Sequence, residues 1–205
     1  MSYYFDKHTD VKSKEVITRT DISGRTYIFK TDNNVFSKKG LDFGTRTLLD
    51  NLPLEKINGD VLDFGCGYGP IGIFVKSNTE ARVDMVDINE RALNLARVNA
   101  KLNGVDVSVF ESNIYENIDK KYDYIISNPP IRVGKEILYK ILFGAKGYLK
   151  QFGELWIVVN KDQGAKTVAK ELEKEYEVSI VEKNKGFYVI CARNNWQFEL
   201  FTVKL

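Results

Sequence analysis

Two short segments carry residue types whose spacing could do chemistry. The first is Asn128-Pro129-Pro130-Ile131, directly after the apolar run Tyr122–Ser127. An exocyclic amino group on a purine, or a side-chain amide, is a poor nucleophile because its lone pair is delocalised. It needs two acceptors for its N–H groups, placed so that the nitrogen points at an electrophile. The Asn128 side-chain oxygen and the Pro129 carbonyl are candidates. Proline has no N–H and fixes φ near −65°, which holds the carbonyls of Pro129 and Pro130 in place. Catalysis of this kind rests on positioning. Two prolines at a strand end also serve simply to stop the strand.

The second segment is Asp63-Phe64-Gly65-Cys66-Gly67-Tyr68-Gly69-Pro70. Closely spaced glycines remove the Cβ atoms that would keep a ligand from the backbone, and Pro70 suits the first turn of a following helix. Gly67, Gly69 and Gly72 also form a literal G-x-G-x-x-G, with Asp87 twenty residues after Gly67, so a dinucleotide oxidoreductase is one reading. Asp63 points elsewhere. A carboxylate at the end of the strand repels a pyrophosphate but receives an ammonium. S-adenosylmethionine carries an amino-acid ammonium and a sulfonium, and no phosphate. Asp87, followed by Ile88, is placed for the two ribose hydroxyls; it could instead cap the next helix, although Asn89 can do that. Asn113 is a candidate for the adenine edge, with the backbone of Ser112 or Ile114 as alternatives. The candidate cofactor set is thus Asp63, Gly65, Cys66, Gly67, Gly69, Asp87, Ile88, Asn113 and Ile114.

The elements that must position these residues alternate. Asp60–Phe64, Arg82–Asp87, Val107–Phe110, Tyr122–Ser127 and Glu154–Val159 read as strands. A helix through IGIFVKS follows the glycine loop, and Asn89–Asn103, Lys135–Leu149 and Gly164–Glu175 read as further helices. Val178–Val181 and Phe187–Ala192 form a closing hairpin around Asn-Lys-Gly. Strands separated by helices imply right-handed parallel crossovers, with ligands beyond the strands' carboxyl ends. The Asn-Pro-Pro strand, fourth in order, is expected beside the first. Ahead of this core, Glu15–Thr20 and Thr26–Thr31 alternate around Asp-Ile-Ser-Gly as a β-hairpin. Asp42 can cap a short helix through LLDNL that stops near Pro53. The expected division is a hairpin appendage over 1–40, a catalytic domain over 41–193 and an extension over 194–205.

Composition narrows the classes. The chain has 205 residues, 43% hydrophobic and 12% aromatic, which excludes global disorder. One histidine and two distant cysteines leave little material for a serine or cysteine triad, a zinc site or a disulfide scaffold. No membrane span or secretory leader is evident, so a cytoplasmic location is expected. The net charge is only +2, yet residues 11–40 hold seven Lys/Arg against three acids. Such a segment is able to steer a polyanion, though an ordinary solvated face has the same composition.

Together, Asp63–Gly69 and Asn128–Ile131 resemble class I S-adenosylmethionine-dependent methyltransferases that act on amino nitrogens. Phe36-Ser-Lys-Lys-Gly-Leu-Asp-Phe-Gly-Thr45, Ser112-Asn113 and Ser127–Pro130 resemble, more narrowly, the small-subunit ribosomal RNA guanine-N2 methyltransferases of the RsmC type. The resemblance runs from about Phe36 to Arg193. It implies a doubly wound, Rossmann-like α/β fold with a seven-stranded, mostly parallel sheet and one antiparallel strand. It also implies N2-methylguanine in 16S rRNA as product, ribosomal RNA or the small-subunit particle as partner, and no metal. Carried over by motif, Asp63, Gly65 and Gly67 hold the methionine end, Asp87 the ribose, and Asn128 with Pro129 the amine. Gly40, Asp42, Gly44 and Thr45 line the cofactor or substrate side, and Asp42 alternatively serves only as a helix cap. Position 131 is Ile where many such enzymes have an aromatic that stacks on the base, so Phe36, Phe43 or another aromatic is expected to replace it. Larger members carry a further amino-terminal domain. Three other readings share parts of this pattern: methylation of another nucleic-acid amine or a protein glutamine, a non-catalytic RNA-binding module, and the NAD-dependent enzyme above.

Overall fold

The chain begins its described structure with a hairpin, β1 (Val16–Ile22) and β2 (Arg25–Thr31). Ser23 and Gly24 both have positive φ, 48° and 80°, so the turn is two residues long rather than the four of Asp21–Gly24. The primed turn lets the strand twist continue to its ends. The computed structural model describes residues 15–32, 41–130 and 134–195. The helix α1 (Phe43–Leu49) follows, then β3 (Asp60–Phe64), α2 (Pro70–Asn78), β4 (Arg82–Asp87), α3 (Glu90–Leu102) and β5 (Ser108–Glu111). After these come β6 (Tyr122–Ser127), α4 (Lys135–Tyr148), β7 (Leu149–Asn160), α5 (Ala165–Leu172), β8 (Glu177–Asn184) and β9 (Phe187–Arg193). The main sheet has the order β5-β4-β3-β6-β7-β9-β8, in which β9 runs antiparallel to both its neighbours. This is the doubly wound sheet expected, and the order reverses between β3 and β6.

Alternation along the central strands splits the core in two. On one face Val61, Met85, Trp156 and Val158 pack against α1, α2, α3 and the hairpin residues Ile22, Tyr27 and Phe29. On the other, Leu62, Val86, Leu155 and Ile157 pack against α4 and α5. The hairpin is fastened by two carboxamides one turn apart, Asn99 on α3 and Asn103 at its C-cap. Asn99 Oδ1 and Nδ2 bond Lys30 N and O at 2.7 and 2.9 Å, and Asn103 bonds Ile28 N and O at 3.0 and 2.7 Å. The two side chains thereby complete the hydrogen bonds that a third strand would have made along β2.

Several boundaries differ from the sequence expectation, most by one to three residues, and three of them have a clear local reason. The helix α1 ends at Leu49 instead of reaching toward Pro53, because Asn51 and Leu52 turn back to Leu48 and Leu49. The strand β7 starts at Leu149 rather than Glu154: α4 passes directly into it, and Asn194, fully buried, exchanges backbone bonds of 2.8 Å with Phe152 and Gly153. The strand β8 continues to Asn184, beyond Val181, because the hairpin turn is the two residues Lys185-Gly186. At the amino-terminal pole of the sheet, Asp60 takes a bidentate pair from Arg82 and a bond from Lys150, both at 2.9 Å, and Lys120 pairs with Asp84. These cations hold the Asp60 carboxyl well below the usual range and are themselves neutralised there.

Candidate active site

The carboxyl ends of β3 and β6 lie side by side. Asp63 pairs with Ile126 across the two strands, and one residue further on Ser127 Oγ donates to the Phe64 carbonyl at 2.7 Å. Gly65 and Asn128 are the next residues of each chain. In the glycine loop the roles separate by what a Cβ would meet. Gly65 and Gly67 have φ of 68° and 56°, and a Cβ on either would enter open space. At Gly72 a Cβ would stand 2.4 Å from Met85 Sδ, so the core demands that glycine, whereas Gly69 is set by its φ of 92°. The third glycine of the literal G-x-G-x-x-G is therefore fixed by packing between α2 and β4.

Asp63 is fully buried, its Oδ2 accepts the Gly72 N–H at 2.8 Å, and Oδ1 has no partner among the described residues. The protein's own carboxylate thus takes an N–H in the first turn of α2, where a dinucleotide fold would present its helix amides to a pyrophosphate. Burial pushes the Asp63 carboxyl up to about 7, against the Gly72 hydrogen bond and with the Asp87 charge adding to the rise. Asp87 Oδ2 accepts from Gly67 N and Oδ1 from Asn89 N, both at 2.9 Å. Burial raises this carboxyl too, against its backbone hydrogen bonds. With Ile88 as a third backbone donor, the carboxylate keeps acceptor capacity for a further hydrogen bond. The cap of α3 is Asn89, which accepts from Arg91 and Ala92. Cys66 is buried, its N–H donates to the Val86 carbonyl, and burial with the two neighbouring carboxylates pushes its thiol well up. It is not a nucleophile.

Asn128 is held from the other side by α1. Asp42 caps that helix by accepting the Thr45 N–H at 3.0 Å, and Thr45 Oγ1 donates to Asp42 Oδ2 at 2.5 Å. Asn128 Nδ2 donates to Thr45 Oγ1 at 2.9 Å and to Asp42 Oδ1 at 3.3 Å. The assignment of amide nitrogen and oxygen follows from chemistry: a carboxylate only accepts, and the threonine proton is already committed to it. With both acceptors on its amino side, Asn128 presents its carbonyl oxygen to the opposite side. Such chains of hydrogen bonds polarise one another and make the terminal oxygen a better acceptor. Pro129 is buried and Pro130 half-buried behind it.

The other candidates fall as follows. Gly44 sits in the first turn of α1, where a Cβ would stand 2.8 Å from the Phe187 ring. Asn113, half-buried, donates to Glu116 Oε1 at 2.9 Å. Ser112 is buried with its hydroxyl on the Ile114 carbonyl, and Ile114 holds a left-handed φ of 54°, rare for a β-branched residue. Ile88, beside Asp87, is half-buried. Phe36, Gly40 and Ile131 lie outside the described residues. Sequence reasoning missed Ser127 as the tie between the two loops, and the path from Asp42 through Thr45 to Asn128.

The family model for the methyltransferase small domain matches residues 26–191. This chain belongs to the methyltransferase small domain family. Within that family it is 40% identical to the Bacillus subtilis protein YbxB, with 93% of this chain and 98% of that one aligned. It is 42% identical over 132 residues to ribosomal RNA small subunit methyltransferase C of Psychromonas ingrahamii, of which the match spans 38%. The match to that relative therefore spans well under half of its length. Among solved structures, the fold resembles the T. thermophilus 16S rRNA N2 G1207 methyltransferase (RsmC) in complex with AdoMet and guanosine. There the TM-score is 0.81 at 22% identity, with 91% of this chain and 52% of that chain covered. A ribosomal protein L11 methylase from Lactobacillus delbrueckii has a TM-score of 0.65 at 19% identity, covering 74% and 79%.

Proposed function

We propose that this protein transfers a methyl group from S-adenosylmethionine to the exocyclic N2 amine of a guanine in small-subunit ribosomal RNA. The observation that carries the reading is the fixed Asn128 carboxamide, its amino side bound by Thr45 and Asp42 and its oxygen available, at the strand end beside Gly65. The name and match of the rRNA methyltransferase relatives support the RNA as substrate class.

The residues of the loop fit this cofactor: a buried carboxylate oxygen at Asp63 without a partner among the described residues, open space over Gly65 and Gly67, and remaining acceptor capacity on the Asp87 carboxylate. Asp63 supplies negative charge to the ammonium, Gly65 and Gly67 let the methionine end lie against the backbone, and Asp87 accepts from the ribose hydroxyls. Cys66, Gly69 and Ile88 shape the same wall, with Asn113 and Ile114 at the adenine end. When bound, S-adenosylmethionine supplies a methyl group already activated on a sulfonium. Asn128 Oδ1 and the Pro129 carbonyl accept the two N–H groups of the target amine and turn its lone pair toward that methyl. Neither is a base, so their contribution is orientation. As the N–C bond forms, the S–C bond would break to leave a neutral thioether, and the extra proton of the methylated amine would pass to water. The guanine must leave its stack to reach them, which favours a single-stranded or partly assembled region.

Two expected outcomes follow from these roles. Thr45→Val keeps the shape of the side chain but removes the acceptor of the Asn128 amino group; kcat should fall roughly tenfold, about 1.4 kcal/mol, with cofactor affinity unchanged by calorimetric titration. The second is a pH dependence. Binding of a cation favours the ionised form of Asp63, whose carboxyl lies at about 7 without it. Affinity should therefore weaken as pH falls below 7, by up to about tenfold per unit, and level off above it. Titrations in two buffers of different ionisation heat should register proton release near pH 6; buffer-independent heats there would remove Asp63 from the site. The substrate itself is tested by mass-spectrometric nucleoside analysis of 16S rRNA from cells with and without the gene. Loss of N2-methylguanine is the expected result. Loss of a different methylated base, or of methylglutamine in protein, would reassign the amine.

A further inference from the structure

We infer that the tip of the β8–β9 hairpin, with Lys161 beside it, holds the phosphate backbone of the RNA next to the amine site, an inference that rests on the RNA reading above. The hairpin reverses at Lys185-Gly186 with φ of 44° and 87°, a tight turn that fixes where its lysines project. Lys161 N–H donates to the Gly186 carbonyl at 2.7 Å, and its side chain lies so close that a Cβ on Gly186 would stand 3.3 Å from Lys161 Cε. Lys185 Nζ lies 5.1 Å from the centre of the Phe43 ring and Lys183 Nζ 5.4 Å from that of Tyr188. Ring faces hold the stems while the ammonium groups stay in water. All three lysines are exposed, and among the described residues none makes an ion pair. Of the acids nearby, Glu182 accepts the Lys183 N–H at 2.7 Å and Asp162 is exposed.

Surface lysines are ordinarily a solvated face; position separates these from the rest. Asn160, the last residue of β7, pairs with Phe187, the first of β9, so the tip stands at the same pole as Asn128. Phe187 packs on Phe43 at 5.7 Å and against Gly44, between the two residues that hold Asn128. In the sheet β9 is two strands from β6, about 10 Å at the usual spacing. A phosphate bound there would fix the register of an RNA strand over the amine. Two basic residues of the amino-terminal hairpin are already engaged. Arg25 donates to the Ser77 carbonyl at the carboxyl end of α2, the pole away from Asn128, and Lys30 pairs with Glu15.

The test is the triple variant Lys161→Gln, Lys183→Gln, Lys185→Gln, compared with the unaltered protein by fluorescence anisotropy on a uridine oligonucleotide and on protein-stripped 16S rRNA across a salt series. Three lost phosphate contacts should reduce the slope of log K against log salt by about 2 and weaken binding at ~0.1 M salt at least tenfold. Melting temperature and S-adenosylmethionine affinity should not change, whereas Arg25→Gln should lower the melting temperature and leave the slope alone. An unaltered slope in the triple variant overturns the surface while the RNA reading stands. Failure of the unaltered protein to bind either RNA overturns both.

Discussion

Replacing Asn128 by alanine is expected to cut the single-turnover rate of methyl transfer at least ~10²-fold, about 2.7 kcal/mol of transition-state stabilisation. The carboxamide is clamped by two acceptors on α1, Thr45 Oγ1 at 2.9 Å and Asp42 Oδ1 at 3.3 Å, so its oxygen enters the reaction already oriented. Alanine removes an acceptor for the amine and leaves Thr45 and Asp42 with nothing to hold. An amine bonded only by the Pro129 carbonyl can rotate its lone pair away from the methyl donor. A loss confined to the rate, with cofactor affinity within about twofold, marks an interaction made in the transition state. Rapid-quench methylation beside calorimetric titration separates the two, and an unaltered rate would remove Asn128 from catalysis. Asn128→Asp is a useful companion. A carboxylate facing Asp42 repels it, and the variant should be no faster than alanine.

The second large effect is expected at Asp87. Alanine there should weaken S-adenosylmethionine binding about 10²-fold, since a hydrogen bond to a charged acceptor is worth roughly 1.5–3 kcal/mol. Asp87 also holds Gly67 N and Asn89 N at 2.9 Å, so part of any loss could come from a loosened loop. Asp87→Asn separates the contributions. It keeps one acceptor oxygen and nearly the same volume, and should lose less affinity than alanine at a similar melting temperature. Equal affinity in all three proteins would take Asp87 out of the cofactor site.

Much of this arrangement was legible in the chain. Asp60–Phe64, Arg82–Asp87 and Tyr122–Ser127 have the observed strand bounds, because buried parallel strands are written as short apolar runs and each stops at a residue that serves a turn. Parallel crossovers then required the Gly65 and Asn128 loops to share one pole of the sheet. Asp42 was readable as a helix cap because capping is local in sequence. What stayed hidden depends on contacts between residues far apart in the chain. Asn128 and Thr45 are 83 residues apart, and nothing in either neighbourhood says which way the amide faces. Ser127 looks like any strand-ending serine until Phe64 lies beside it. Asn99 reads as an ordinary polar position of α3 and Asn103 as the residue that ends it, yet both dock the hairpin, and nothing in the glycine spacing says that Met85 stands against Gly72. The lysines of the carboxyl-terminal hairpin were hidden for a related reason. Spread along the sequence they amount to no charge run, and only β7, β9 and α1 gather them near the site.

The central claim is that the Asn128 oxygen and the Pro129 carbonyl grip the target amine beside the Gly65 loop. A crystal structure of this protein with S-adenosylhomocysteine and guanosine tests it most directly. The guanosine N2 should donate to Asn128 Oδ1 and Pro129 O at roughly 2.7–3.2 Å, with Asn128 Nδ2 still on Thr45 and the sulfur on the open side of N2. A guanosine whose amine lies away from residue 128, or an Asn128 turned so that its amino group faces the base, would contradict it.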